Sequence, residues 1–440
     1  MYRMEGIMRL ELENVGKISS ANIKLDGITV IAGENNTGKS TIWKILFCVF
    51  SAFHRIEEQI KEERVKSVSR VLSSYYHEAA NRLTRRFNTV DLAEVFVDKK
   101  EIFLGDIRLI EKEIEEYFVN KDKNFNQYIK QESLEKLAQR IYTFLNLKDY
   151  EIQKMILQKR LDAEFGMKVG HLNNVGKKTT VKLNVKEDCI DFTVIKNKDI
   201  IITNYMNLYK DIIYIDDPFV LDDLGDFRWQ LWANEFEHRH DLLMKLAIDK
   251  KTEDFSVIDE LIVQKKLEKI LDKMCDVCDG ELISEDRDSF IYKTDRLDGE
   301  LKMVNLSTGM KSFVILRRLL QNGNIDENGI IILDEPEIHL HPEWQLKFAE
   351  IIVLIQKEFN TNILLNTHSP YFLNALEVYS EKYEIEKKCN YYIANEEQGI
   401  TSIVDVTNET EKIYVKLAKP LQELENMEYG NTEIWRYKDI

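Results

Sequence analysis

The chain has 440 residues, 61 of them Lys or Arg against 77 Asp or Glu, for a formal net charge of −16. With 44% hydrophobic and 31% charged residues but only 17 Gly and 5 Pro, it has the make-up of a packed globular protein of about three domains. That excludes a disordered or fibrous chain, and the acidic balance argues against indiscriminate adhesion to nucleic acid or anionic membrane.

The first residues interleave Arg3, Glu5, Arg9, Glu11 and Glu13 with apolar side chains, unlike a secretory signal. From Met8 to Ala32 the pattern reads as three short strands, MRLELENVG, SANIKL and GITVIAG, the last running into GENNTGKST and a helix. The longest apolar run, Ile42 to Phe53, is interrupted by Lys44 and is too short to cross a bilayer. Between Arg55 and Val169 long charged stretches with scattered apolar residues and no Pro predict helices, amphipathic but without a sustained heptad. Period-two runs VKLNV, DCIDFTVI and IIITN then predict a small sheet, which makes the first domain discontinuous. Helical texture follows from Trp229 to Met274, and alternation returns from Gly280 to Asn305. Helices to Leu320 and over Gln345–Phe359 alternate with strands Ile330–Leu333 and Asn362–Leu365, which predicts a parallel α/β sheet. Five isolated cysteines, Cys48, Cys189, Cys275, Cys278 and Cys389, predict no disulfide framework and fit a reducing cytoplasm.

Gly33-Glu34-Asn35-Asn36-Thr37-Gly38-Lys39-Ser40 fits G-x-x-x-x-G-K-[ST] and is followed by Thr41. Glycines let such a loop wrap a phosphate chain with backbone N–H groups and a helix N-terminus. Lys39 then neutralises the terminal phosphates and Ser40 offers its hydroxyl to Mg²⁺. Downstream, Ile330 to Leu333 ends in Asp334 and Glu335, a metal-holding acid followed by one able to polarise water. Leu306-Ser307-Thr308-Gly309-Met310-Lys311 opens a helix, where Ser307 alone reads as an N-cap, and His368 stands at a strand end in THSP.

In that order, with a long insertion between the first and second motifs, these segments resemble the ABC-type ATPase heads of the structural-maintenance, RecF and OLD-like group. LSTGMK departs from the group's LSGGQ at Thr308, Met310 and Lys311 but keeps Ser307 and Gly309. The resemblance implies an α/β P-loop head with a mainly parallel sheet and a helical insertion. It also implies a homodimer, or a higher oligomer, closed around ATP and Mg²⁺. In it Lys39 and Ser40 bind phosphate and cation, Asp334 is the Mg²⁺ acid, Glu335 the general base and His368 the γ-phosphate sensor. Ser307 and Gly309 would touch ATP on the other subunit. The implied segments are a head portion over 1–54, an insertion over 55–175, a small sheet over 176–228 and the rest of the head over 229–440. No Q-loop glutamine stands out among Gln59, Gln127, Gln131, Gln139, Gln153 and Gln158.

More narrowly, NVGKISSANIKLDGITVIAGENNTGKSTIWKILF, STGMKSFVILRRLLQNG, ILDEPEIHLHPEWQLKFAE and THSPYFLNALEVYS resemble the ATPases of bacterial anti-phage systems of the Septu and retron-associated kind. The residues after Pro370 offer a short sheet and an acidic tail with no room for a Toprim nuclease, so the resemblance implies an effector in trans, an HNH nuclease in Septu-type systems. The alternative expectation is a RecF- or structural-maintenance-like clamp that embraces DNA itself, and a third is a scaffold that binds ATP without turnover. Weaker signals take structural readings: Cys275 and Cys278 as helix cysteines, and His339 with His341 as shaping a loop at the dimer interface. In the pair His238 and His240 the side chains diverge if helical, and Arg82, Arg85, Arg86, Arg317 and Arg318 read as solvated or salt-bridged. No metal beyond Mg²⁺ and no membrane contact are expected.

Overall fold

The structure is a computed structural model, and it describes residues 8–79, 88–121, 130–166, 168–171, 177–224, 234–248, 257–286, 289–294 and 300–436. Arg82, Arg85, Arg86 and Gln127 lie outside the described residues. Fourteen strands are formed among the described residues: β1 (Met8–Val15), β2 (Ile18–Leu25), β3 (Ile28–Ala32), β4 (Thr179–Val185), β5 (Asp188–Ile195), β6 (Asp199–Asn204), β7 (Ile212–Ile215), β8 (Glu281–Asp286), β9 (Ser289–Lys293), β10 (Glu300–Lys302), β11 (Ile330–Asp334), β12 (Asn362–Thr367), β13 (Cys389–Glu397) and β14 (Ile400–Asp405). Eleven of them form one sheet in the order β6-β5-β4-β1-β2-β14-β13-β3-β12-β11-β7, and β10-β9-β8 form a separate one.

Apolar patterning decides which strands sit where. β3 is buried at every position and β11 at all but its last, as central parallel strands must be with helices on both faces. Accordingly β13, β3, β12, β11 and β7 pair in parallel. β4 alternates buried and half-buried residues, the mark of a strand with one covered face. The three strands read as a small sheet form a wing of the large one, because β4 pairs antiparallel with the open edge of β1, Leu10 opposite Leu183. The acidic tail is likewise a helix, Glu411–Arg436, whose Ile413 is fully buried in the main core. That core also takes in the inner faces of helices Thr308–Gln321, Pro342–Phe359 and Pro370–Lys382.

At the end of the sheet, β7 would present unpaired backbone groups. Buried Lys245, from helix His238–Ala247, donates to Ile212 O at 3.0 Å and is ion-paired with Asp211 at 3.1 Å and with Asp241. Paired by two acids, its ammonium is held above the ordinary lysine range despite burial.

The chain divides into two compact units, one of Met1–Ser51, Gln158–Met206 and Lys210–Ile440, the other of Ala52–Leu157 with Asn207–Tyr209. The second is helical, with helices Ile56–Ala79, Val90–Asp98, Lys100–Gly105, Ile107–Lys121 and Gln131–Asn146 around a core that stacks Tyr76 on Phe118. Arg64, 4% exposed, donates to Phe144 O at 2.6 Å, Leu145 O at 3.1 Å and Leu147 O at 2.5 Å, neutralising the free carbonyls at a helix C-terminus. Among the described residues no helix is long and apolar enough to cross a membrane.

Gly27, at φ 66° in the turn between β2 and β3, donates its N–H to Asn362 Oδ1 at 3.0 Å, and a Cβ there would lie 2.2 Å from Lys388 O. Gly27→Ala is therefore expected to cost about 2–4 kcal/mol of unfolding free energy, read as a lower urea midpoint. An unchanged midpoint would mean that this turn yields freely.

Candidate functional site

In parallel strands the carboxyl ends align, and here the register sets Ala32 beside Thr367 and Asp334 beside Asn366. The loops leaving β3, β11 and β12 therefore emerge at one edge of the sheet. Gly33 to Ser40 wraps directly from β3 into helix Lys39–Phe53, with Asn36 at φ 64° and Gly38 at φ 86° supplying the left-handed turns. A Cβ on Gly33 would come within 2.9 Å of Ala394 Cβ, so β13 closes the back of the loop. Thr37 Oγ1 donates to Glu34 O at 2.9 Å, and Thr41 N to Gly38 O at 3.1 Å, while Asn35 and Asn36 stay exposed. Lys39, 4% exposed, folds back over the loop and donates to Gly33 O at 3.0 Å and Glu34 O at 2.7 Å. Burial lowers its ammonium to a pKa of about 8 against the pull of Glu335 and Asp334.

Ser40 Oγ donates to Asp334 Oδ1 at 3.1 Å, and Tyr214 OH on β7 donates to Asp334 Oδ2 at 2.9 Å. The neighbouring Glu335 adopts φ 50°, with its N–H donating to Asn366 Oδ1 at 3.0 Å. Its Oε1 meets His368 Nε2 at 2.6 Å, a hydrogen bond that holds the carboxyl below its usual range. Buried Glu337 completes the bracket: its Oε1 accepts from Thr367 Oγ1 at 2.6 Å, His368 N at 2.8 Å and Ser369 N at 3.3 Å. Burial nonetheless raises its pKa, and its Oε2 has no hydrogen-bond partner among the described residues. Gln345 ties the same corner, accepting from Ser369 Oγ at 2.7 Å and donating to Leu340 O at 3.1 Å.

The signature segment has its own partners. Ser307 is exposed and accepts from Met310 N at 3.4 Å as the N-cap of helix Thr308–Gln321. Gly309 is buried, and a Cβ there would lie 2.9 Å from His339 O and 3.2 Å from the Trp344 ring. Lys311 turns inward, donating to Asp222 Oδ1 at 2.6 Å beneath the Phe219 ring. Among the described residues neither Ser307 nor Gly309 is hydrogen-bonded to Lys39, Asp334, Glu335 or His368. Lys39, Ser40, Asp334, Glu335 and His368 come together within one chain, and Ser307 and Gly309 do not join them.

One outcome differs from sequence-based expectation: Cys275 is exposed in the turn after helix Val257–Met274 and Cys278 is buried beside Tyr292, so the two are not a helical pair. Arg317 is buried, donating to Cys278 O at 2.7 Å and ion-paired with Glu281 at 3.5 Å, and Arg318 donates to Leu246 O at 3.0 Å. His339 lies edge-on to Phe219. Gln59 donates to His54 O and Gln158 to Asp162 Oδ1 at 3.4 Å.

Sequence reasoning also missed the support behind Asp334. The Tyr214 ring stacks on His238, ring centroids 4.4 Å apart. His238 Nδ1 meets Glu164 Oε1 at 2.8 Å, its Nε2 lies 2.9 Å from Asp216 Oδ2, and Lys44 reaches Glu164 at 3.6 Å. Burial alone would lower the imidazole, but hydrogen bonds and charge from Asp216 and Glu164 outweigh it and raise its pKa to about 9. The only available signal was His238 itself, which carries no motif.

A family model described as an AAA ATPase domain matches residues 6–373. The Septu protein PtuA of Bacillus thuringiensis is 27% identical over 192 residues, covering 40% of this chain and 45% of PtuA. The retron Vc95 probable ATPase of Vibrio cholerae serotype O1 biovar El Tor is 25% identical over 210 residues, 43% of this chain and 39% of that protein. The match thus spans less than half the length of either relative. Among solved structures, the SMC head domain from Thermotoga maritima superposes with a TM-score of 0.39 at 11% identity, over 91% of this chain and 99% of that one.

The folded protein keeps a proton on His238 that the unfolded chain releases above its ordinary pKa of 6.5. Stability from this network is therefore complete below pH 6.5 and is lost as pH rises through about 9. The loss is on the order of 3 kcal/mol. Denaturant melts at the two pH values should decline more steeply for the wild type than for His238→Gln, and equal slopes would remove the assignment.

Proposed function

Because the chain belongs to the AAA ATPase domain family, we propose that it binds and hydrolyses ATP with Mg²⁺ and that this cycle controls an effector nuclease in an anti-phage defence complex. The observation that carries the ATPase reading is the meeting of Lys39, the Ser40–Asp334 pair and the Glu335–His368 pair at one sheet edge. The Septu and retron relatives support the defence context.

The residues present fit the nucleotide and its cation. Ser40 and Asp334 are an all-oxygen pair 3.1 Å apart, and Mg²⁺ is commonly held by one or two protein oxygens with water and phosphate oxygens filling its octahedron. Among the described residues no group of three or more His, Cys, Asp or Glu is placed to form a closed metal cage. Lys39 now rests on two neutral carbonyls, which phosphate oxygens would replace as stronger acceptors.

When bound, Mg²⁺–ATP supplies a polarised γ-phosphorus. The protein positions it and handles the proton. Lys39 would exchange Gly33 O and Glu34 O for the terminal phosphates, and Ser40 and Asp334 would hold the cation. Glu335, kept ionised, accepts a proton from the attacking water. In this structure its Oε1 is occupied by His368 Nε2, so activating water requires Oε2 or a turn of His368 toward the phosphate. From the resemblance to ABC-type heads, we assign Ser307 and Gly309 to nucleotide on a second copy of the chain, and neither is hydrogen-bonded to this cluster among the described residues.

Glu335→Gln should retain ATP binding, lose about a hundredfold or more of phosphate release, and accumulate the closed dimer in size-exclusion chromatography with light scattering. Undiminished turnover would remove Glu335 as the base. For the effector, a tagged chain expressed with its native neighbouring genes and ATP should retrieve a stoichiometric nuclease, HNH in type, by mass spectrometry. Retrieval of the chain alone or with DNA only would favour a clamp that embraces DNA directly.

A further inference from the structure

The C-terminal helix brings one more cation to the start of the phosphate loop. Ile413, fully buried, fixes the first turn of helix Glu411–Arg436 on the sheet. One turn on, Lys416 reaches back and donates from Nζ to Ala394 O at 2.6 Å and Asn395 Oδ1 at 3.1 Å. Ala394 is the residue on which Gly33 packs, with a Cβ at Gly33 falling 3.1 Å from that same carbonyl oxygen. The Lys416 ammonium thus sits beside the first residue of the loop.

Its surroundings are unlike those of the other lysines nearby. Lys412 pairs with Glu409 and Lys17 with Glu396. Lys416 is half-buried, and among the described residues both of its acceptors are neutral oxygens. An ammonium has three donors; two are used here and the third has no protein acceptor among the described residues. A partly desolvated charge with only neutral partners is under-compensated and gains most from an anion. Lys39 is in the same condition, bound to Gly33 O and Glu34 O. Two ammonium groups held on neutral carbonyls at the same end of one loop define a site for a multiply charged anion.

We propose that Lys416 is a second phosphate-binding cation, giving its third N–H to the terminal phosphate of a nucleoside triphosphate seated on Gly33–Ser40 and so fastening the C-terminal helix to the loop. The inference rests on the reading of this loop as the ATP site. The terminal phosphate is the one concerned because Lys39, the residue that follows the terminal phosphates, rests at the Gly33 end of the loop, where Lys416 also arrives.

The test is equilibrium binding of ATP and of ADP to the full chain, comparing the wild type with Lys416→Met, Lys416→Arg and, as a control on the same helix, Lys419→Met. Lys416→Met should weaken ATP by about tenfold or more and ADP by less than about threefold, since one charge-assisted contact is lost from the terminal phosphate alone. Lys416→Arg and Lys419→Met should keep the ATP-to-ADP ratio within about threefold of the wild type. A purely structural role would move ATP and ADP together, and that result, an unchanged ratio in Lys416→Met, or a ratio lost equally in Lys416→Arg, overturns the assignment. Wild-type chain that binds neither nucleotide would overturn the ATP reading itself, which the same titration distinguishes from failure at Lys416 only.

Discussion

Everything at the site depends on the in-register parallel pairing of β3, β12 and β11. Parallel hydrogen bonding forces neighbouring strands to end on the same side, so segments from the two ends of the chain deliver a lysine, two acids and a histidine to one edge. The side-chain hydrogen bond from Glu335 N to Asn366 Oδ1 then carries the alignment one residue beyond the ladder. Antiparallel pairing of β12 with either neighbour would put His368 at the opposite end of the sheet. The uninterrupted aliphatic content of β3 and β11 is therefore a functional requirement as much as a packing one.

Around that edge the protein spends buried charge on orientation. Glu337 takes three donors on a single oxygen, which sets the backbone from Thr367 to Ser369 and aims the His368 ring at Glu335. Asp334 is held at both oxygens, by a hydroxyl from the phosphate loop and by a phenol from β7. Buried polar groups of this kind add little net stability, yet leaving one partner unpaired is costly, so they favour one arrangement over its neighbours. The site is thus pre-set within one subunit, and what it lacks in the proposed cycle is the contact from Ser307 and Gly309, which a second copy would supply.

Much of this was legible in the sequence, and the division between what was and was not has a physical basis. The phosphate loop, the Asp334–Glu335 pair and THSP could be read because their geometry is local: a tight loop needs its glycines at fixed offsets, and a buried strand declares itself by composition. The alternating runs of β4 to β6 were equally legible as strands, but not their place, because joining the wing to β1 is a matter of which open edge is free. Tyr214, Glu164, Asp216 and His238 come from scattered segments and meet only in the folded protein, so no spacing announces them. Lys311 was legible as a departure from the family signature, and its burial against Asp222 explains why: the side chain at that position answers to the helix it packs under. Glu337 lay in plain view between two motif residues, and only the depth of its burial distinguishes it from a solvated acid.

The cap on β7 bears on how such a protein coexists with copies of itself at high concentration. β7 flanks the strand that ends in Asp334, and it closes an eleven-stranded sheet, so its outer rim is a ready template for intermolecular strand addition. By seating an ammonium on Ile212 O and walling it with Asp211 and Asp241, the chain puts a charge where an incoming strand would need to lay its backbone. Strand addition at this rim is thereby disfavoured, since an approaching backbone would have to displace or bury that ammonium and its two acids.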